Sequence, residues 1–263
     1  MKLSTITRII ILSCLMMFVA TSTAQDFQGG IVKYQQTTRY DFAKLFGIDV
    51  SQGGRGADFV ASLPTEMQKV NRLVFTPEKS MYGEDPDSQN EISPNLQSAI
   101  SHLEFMAPPR IQVIQWYHDL AQNEVTQQIE FMTRQFLLTL PMEKSGWKLT
   151  QKLIKIQNYT CMAAEMQQGD DLITAFFTSE LPVSVGPAEY GGLPGLILAV
   201  EINGETAYMA TSITLTEPDE ALLLKPDEGK AMRQSDFAAM VAEKEKEWKE
   251  TRSQGRGTPA GHR

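Results

Sequence analysis

A mainly β fold, a strongly curved antiparallel sheet or incomplete barrel with a C-terminal helix, is predicted by three observations. Apolar and polar residues alternate with period two in several segments, Asn203-Gly204 lies between two of them, and helical periodicity is clearest at the end of the chain. The pattern accommodates roughly eight to ten strands, and a sheet of that size curls rather than staying flat.

The first strand is marked by Val32, Tyr34, Gln36, Thr38 and Tyr40, and a second lies within Leu73–Tyr82. In a third, Ile111, Val113 and Tyr117 oppose Ile114, Trp116 and His118. Ile129–Leu140 reads as one long aromatic and aliphatic segment, and Trp147, Leu149 and Leu153 open a strand continuing past a bulge to Cys161. Gly169-Asp170-Asp171 marks a turn between Cys161–Met166 and Leu172–Thr178.

Asn203-Gly204 tolerates positive φ at both positions and predicts a type I′ hairpin. Its expected register sets Ile202 opposite Glu205, Val200 opposite Ala207, Leu198 opposite Met209 and Leu196 opposite Thr211. One face would carry Leu196, Leu198, Val200, Ile202, Met209, Ile213 and Leu215, and the other Ala199, Glu201, Thr206 and Tyr208. Just before it, Gly191, Gly192, Leu193, Pro194, Gly195, Leu196 and Ile197 form a bare turn running into an apolar strand. Pro194 and Gly195 suit the central positions of a type II turn that sets where the strand begins.

Residues 42–64 read as a flexible loop around a short helical or irregular segment, and Glu84–Ser98 as an exposed polar loop. Residues 25–232 form the β domain. A helix over 233–252 starts at a Ser235 cap and buries Phe237, Met240, Val241, Lys244 and Trp248, with the charge run EKEKEWKE toward solvent. Residues 253–263 have nothing to bury and read as a disordered tail.

Residues 1–24 carry Lys2 and Arg8, the apolar run Ile9–Ala20 and a small-residue site ending at Ala24, the layout of a cleaved secretory signal. The apolar run is short for a membrane span, which needs about 20 residues. A retained anchor and a lipoprotein box at Ile11–Cys14 are the alternatives; the second would strand LMMFVA on the mature side. The expected location is the periplasm or exterior, including association with the outer membrane, without an integral membrane segment.

The chain has 24 basic and 32 acidic residues, a net charge of −8, and signal removal takes two more basic groups. Such a chain lacks the electrostatic footprint of a nucleic-acid partner. Cys14 leaves with the signal, so Cys161 has no internal disulfide partner.

Candidate metal ligands are Cys161, Met162, His102 and His118. Soft sulfur suits cuprous copper, but Cys161 and Met162 point to opposite faces of a strand. His102 and Glu104 would share one side of a strand, yet no second close-spaced ligand pair accompanies them. No G-x-S-x-G, phosphate loop or H-E-x-x-H occurs, and Cys161 lacks a cysteine-protease signature. Glu180 and Glu189 are abundant-type carboxylates with no spacing that assigns a reaction, so nothing points to catalysis or to a cofactor. Tyr34, Trp116, Phe131, Trp147 and Phe177 are candidates to line an apolar ligand pocket, with core filling as the alternative.

Trp147, NYTC at 158–161, AFFTSELPVSVGP at 175–187 and YGGLPGLIL at 190–198 form an ordered series. It resembles the GLPGLI family of exported proteins of Gram-negative (Bacteroidetes-type) bacteria, most strongly over residues 145–215. Weaker agreement lies at GGIVKYQ and KPDEGK, while Asn158 and Met162-Ala163-Ala164 depart from the commoner pattern. The resemblance implies a secreted or periplasmic antiparallel β protein with no established activity. Related domains joined to exported enzymes imply a binding or accessory role, with an envelope protein or an apolar ligand as partner. A metal-handling protein and a hydrolase or enzyme-accessory domain acting on envelope polymers are the alternatives.

Overall fold

The computed structural model describes residues 28–89, 93–106, 108–142 and 146–255; the side chains of 102–106, 206 and 252–255 fall outside the description. The signal segment, His262 and most of the tail likewise lie outside the described residues.

Twelve strands form one open sheet. They are β1 (Gly30–Arg39), β2 (Glu66–Phe75), β3 (Lys79–Glu84), β4 (Ile111–Asp119), β5 (Glu124–Phe131), β6 (Arg134–Pro141), β7 (Lys148–Ile156), β8 (Tyr159–Gln168), β9 (Asp171–Thr178), β10 (Leu196–Ile202), β11 (Glu205–Leu215) and β12 (Lys230–Ala231). The order is β12-β6-β5-β4-β3-β2-β1-β11-β10-β9-β8-β7. Every pairing is antiparallel except the short β12 on β6, so the predicted class holds with a mixed edge.

The count exceeds the expected one because Leu73–Tyr82 and Ile129–Leu140 each hold a hairpin and the short β12 is added; Leu73–Tyr82 is the end of β2, the turn at 76–78 and the start of β3. Ile129–Leu140 is the end of β5, the loop Met132-Thr133 and β6, with φ of 50° and 63° at the two loop residues. A β-branched threonine at positive φ is rare, so the sequence offers no punctuation there. Gln157, at φ 51°, likewise ends β7 before Cys161. Glu84–Ser98 is also not all loop: a helix spans Pro94–Met106, with the Ser93 hydroxyl 3.4 Å from the Leu96 N–H. Pro94 sits at the first helical position, where its missing N–H costs nothing. His102 and Glu104 therefore lie on a helix rather than a strand.

The Asn203-Gly204 turn has φ of 54° and 82° and pairs Ile202 with Glu205 as expected. Beyond that the register slips, because Ala207 is bulged: Val200 pairs with Tyr208 and Ala199 with Met209. On the other side of β10, Leu198 is skipped, so Ile197 pairs with Phe177 and Ala199 with Phe176. These bulges break the expected single face. Leu196 and Leu198 join the main core with Tyr34, Tyr82 and Phe176, whereas Ile197 and Val200 join a second cluster under Tyr190 and Leu193. Both faces of the strand are thus buried, as its unbroken apolar run permits.

Hydrogen bonds across non-adjacent strands show that the sheet curls. Gln157, at the tip between β7 and β8, donates to the carbonyls of Ala210 (3.3 Å) and Thr211 (3.1 Å) in a bulge of β11. The Tyr34 hydroxyl on β1 donates to the Ile197 carbonyl on β10 at 2.6 Å, inside the core. Two satellites complete the fold. Phe42, Leu63, Leu96 and Ala99 pack short helices (Phe42–Phe46, Arg55–Ala61) against the Pro94–Met106 helix. The C-terminal helix, Gln234–Gly255, buries Phe237 between Phe131 and Phe136. Arg233 precedes it and Ser235 lies inside it, so Ser235 is not the cap.

The glycine-proline turn is not type II. The Gly195 N–H bonds the Leu193 carbonyl at 2.8 Å, a three-residue turn centred on Pro194, and the Leu196 N–H goes instead to Leu181 at 2.9 Å. Gly195 has φ 155°, and a Cβ there would sit 2.1 Å from the Thr178 carbonyl oxygen. Gly195→Val should therefore lower stability by about 3 kcal/mol or more. Gly146→Ala, with open space around it, should stay within about 0.5 kcal/mol of wild type. Urea unfolding of both variants measures the difference, and equal midpoints would show that the chain passes Thr178 without contact.

Candidate functional site

A cavity of about 620 Å³ opens where β4–β6 face the end of β8 and residues 184–192. Trp116 and His118 lie two residues apart on β4 and so share a face. Their partners on β5, Gln127 and Val125, extend that wall. Trp147, Met166, Glu189, Tyr190, Gly191 and Gly192 form much of the opposite wall.

The wall residues are held by contacts that explain their positions. The Trp147 Nε1–H donates to the Gly191 carbonyl at 2.8 Å and ties the start of β7 to the glycine segment. The Trp116 ring meets Tyr82 edge-on, with centroids 5.7 Å apart, and Tyr190 meets Tyr208 at 6.0 Å. His118 is buried, with Nδ1 3.2 Å from the Ser80 hydroxyl, and burial lowers its pKa to about 4.

Glu189 is set on a turn in which the Tyr190 N–H bonds the Pro187 carbonyl at 3.1 Å. Ala188 in that turn has φ 52°, an uncommon conformation for a residue with a side chain, and such outliers cluster at functional sites. The Glu189 side chain reaches solvent yet sits in a crowded recess, and desolvation holds its carboxyl above the usual range. Desolvation first and the Glu189 charge second raise the Tyr190 and Tyr208 phenols, so these groups stay protonated in ordinary buffers.

The structure divides the sequence-derived candidates. Trp116 and Trp147 line the cavity, whereas Tyr34 and Phe177 are buried in the two core clusters and Phe131 in the cluster under the C-terminal helix. Of the glycine-proline motif, Gly191 and Gly192 reach the cavity, and Leu193, Leu196 and Ile197 are core.

The proposed metal ligands are not brought together. Cys161 is fully buried, its thiol pushed up to about 11 mainly by desolvation, while Met162 on the opposite face is partly exposed. His118 lines the cavity, whereas Cys161 lies in the main core cluster, and the His102 side chain lies outside the described residues. Among the described residues no three His, Cys, Asp or Glu are grouped to hold a metal. Glu180 accepts the Thr160 N–H at 3.1 Å and does not line the cavity, so it forms no pair with Glu189 there. No helix is long and apolar enough to cross a membrane among the described residues.

Spacing in the sequence pairs Glu189 with Glu180 and Met166 with Cys161 and Met162, and does not join Glu189, Tyr190, Met166 and Gln127 in one site. The available signal was local: an acidic and an aromatic residue between Pro187 and Gly191, in a loop on a β scaffold.

A family model described as a protein of unknown function, Porph_ging, matches residues 164–199, from β8 into β10. No curated protein matches. Among solved structures, PNGF-II in two space groups is similar, with a TM-score of 0.53 and 16% identity over 82% of this chain. The match covers 34% and 33% of the PNGF-II chains, so this chain spans about a third of that protein's length. The likeness is one of fold.

His118 generates a pH prediction. Folding depresses its pKa from 6.5 to about 4, so the unfolded state binds more protons between those values. The stability this contributes is complete above about pH 6.5 and is lost as pH falls toward 4, at up to about 1.4 kcal/mol per pH unit. Urea unfolding from pH 4 to 7 should show this slope in wild type and its loss in His118→Gln. Parallel curves would show that His118 is protonated in the folded protein.

Proposed function

We propose that this chain is an exported envelope protein of the GLPGLI type that acts as a non-catalytic binding module. Its ligand is a small molecule with an apolar part, held in the cavity between β4–β6 and residues 184–192. The cavity carries the reading: about 620 Å³ lies in the usual range for small-molecule sites, and Trp116, Trp147 and Tyr190 supply aromatic wall beside a few polar groups. The glycine segment supports it, since Gly191 and Gly192 leave that wall without side chains. The matched family model covers the strand and motif leading into this wall. That a similar fold makes up about a third of PNGF-II supports a module that also serves within longer chains. Export rests on the signal-like layout of residues 1–24.

Ser184 lines the cavity with an exposed side chain, and its carbonyl accepts the Gly192 N–H at 3.0 Å. Ser184→Trp should fill the cavity without disturbing the fold. The neutral fluorophore N-phenyl-1-naphthylamine should bind wild type saturably at one site per chain, and Ser184→Trp should weaken it at least about tenfold at unchanged thermal stability. Equal binding by both proteins would place the ligand elsewhere, and no binding by wild type would overturn the reading. Intact mass of the protein recovered from the envelope should show a chain beginning at Gln25; an uncleaved chain would overturn the cleaved-signal reading.

A further inference from the structure

We infer that this cavity takes an organic cation, an ammonium group carried on an apolar or aromatic body. The inference rests on the binding reading above and adds the charge of the ligand.

Three observations carry it. First, the described lining contains one acidic side chain, Glu189, and neither Lys nor Arg; His118 is buried and neutral. Second, Glu189 has no ion-pair partner among the described residues. None of the described ion pairs includes it, and its carboxylate is bonded to its own backbone N–H. The two phenols nearest in influence, Tyr190 and Tyr208, are neutral, and no positive charge offsets the desolvation that raises the carboxyl. Third, the walls are Trp116, Trp147 and Tyr190, and indole and phenol faces attract ammonium groups through their ring quadrupoles.

An incoming cation would supply the charge that Glu189 lacks and lie against aromatic faces. An anion would meet the carboxylate with no described cation to compensate it. The turn geometry agrees, because the left-handed Ala188 belongs to the turn that sets Glu189 among the lining residues. Gln127 and Gln168 add neutral hydrogen-bonding groups for the remainder of the ligand.

The test uses one skeleton with three charges, 2-phenylethylammonium, 2-phenylethanol and 3-phenylpropanoate, titrated by calorimetry and tryptophan fluorescence at neutral pH. The ammonium should bind at least about tenfold tighter than the alcohol, with the propanoate weakest. Glu189→Gln should bring the ammonium within about threefold of the alcohol, and Glu189→Lys should reverse the order so that the propanoate binds best. Because the Glu189 side chain reaches solvent and has no ion-pair partner among the described residues, both variants should melt close to wild type. If alcohol and ammonium bind equally, or the propanoate binds tightest to wild type, the inference falls while the cavity remains a binding site. If none of the three binds and N-phenyl-1-naphthylamine also fails, the binding reading falls and this one with it. Retention of a tenfold ammonium preference in Glu189→Gln would overturn the role given to the carboxylate.

Discussion

The close passage of Gly195 over the end of β9 is the constraint on which the rest of the structure depends. The backbone approaches the Thr178 carbonyl so tightly that no Cβ fits between them. Gly186 makes the matching approach on the other side, where a Cβ would lie 2.7 Å from the Cβ of Ile197 and from the Tyr190 carbonyl. Between these two points, residues 187–194 are forced into a loop that turns back on itself. The Gly192 N–H bonds the Ser184 carbonyl, and the Ile197 N–H bonds that of Val185. That closed loop is what brings Glu189, Tyr190 and Gly191 to the cavity.

The bulges follow from the same crowding and are stabilised by polar groups from distant parts of the chain. Leu198 is bulged in β10, and the nearby Ile197 carbonyl is satisfied by the buried Tyr34 hydroxyl. Thr211 is bulged in β11, and Gln157 bonds the carbonyls on either side of that irregularity. Bulges increase twist and bend a strand. With these long-range bonds they curl an open sheet until β4 and the end of β8 face each other. A cavity between two sheet arms is the geometric result, and Trp147, pinned to Gly191, limits its width.

A rigid scaffold with a chemically distinctive loop is the arrangement in which binding groups are commonly found. Here the core clusters provide the scaffold, and Glu189, the one acidic side chain of the described lining, gives the loop its character. Cys161 and His118, the most reactive residue types in the described chain, are instead absorbed by the interior, where burial keeps the thiol protonated and the imidazole neutral. Cys161 packs in the main core cluster, and His118 sits in the wall of the cavity.

By itself the sequence determined the class of fold, the Asn203-Gly204 hairpin, the C-terminal helix and the importance of the glycine-proline segment. Each of these is local, set by side-chain period or by a backbone conformation that only certain residues adopt. Tertiary structure decided the strand count, the register of β10 and the site. The Met132-Thr133 turn uses residues with no turn propensity, the Leu198 and Ala207 bulges arise from packing on both sides of one strand, and the helix at Pro94 begins within a stretch punctuated like a loop. Trp116 and Trp147 were legible as aromatic candidates, but so were Tyr34, Phe131 and Phe177. Only the curl of the sheet, fixed by contacts between residues more than a hundred positions apart, separates the wall of the cavity from the filling of the core.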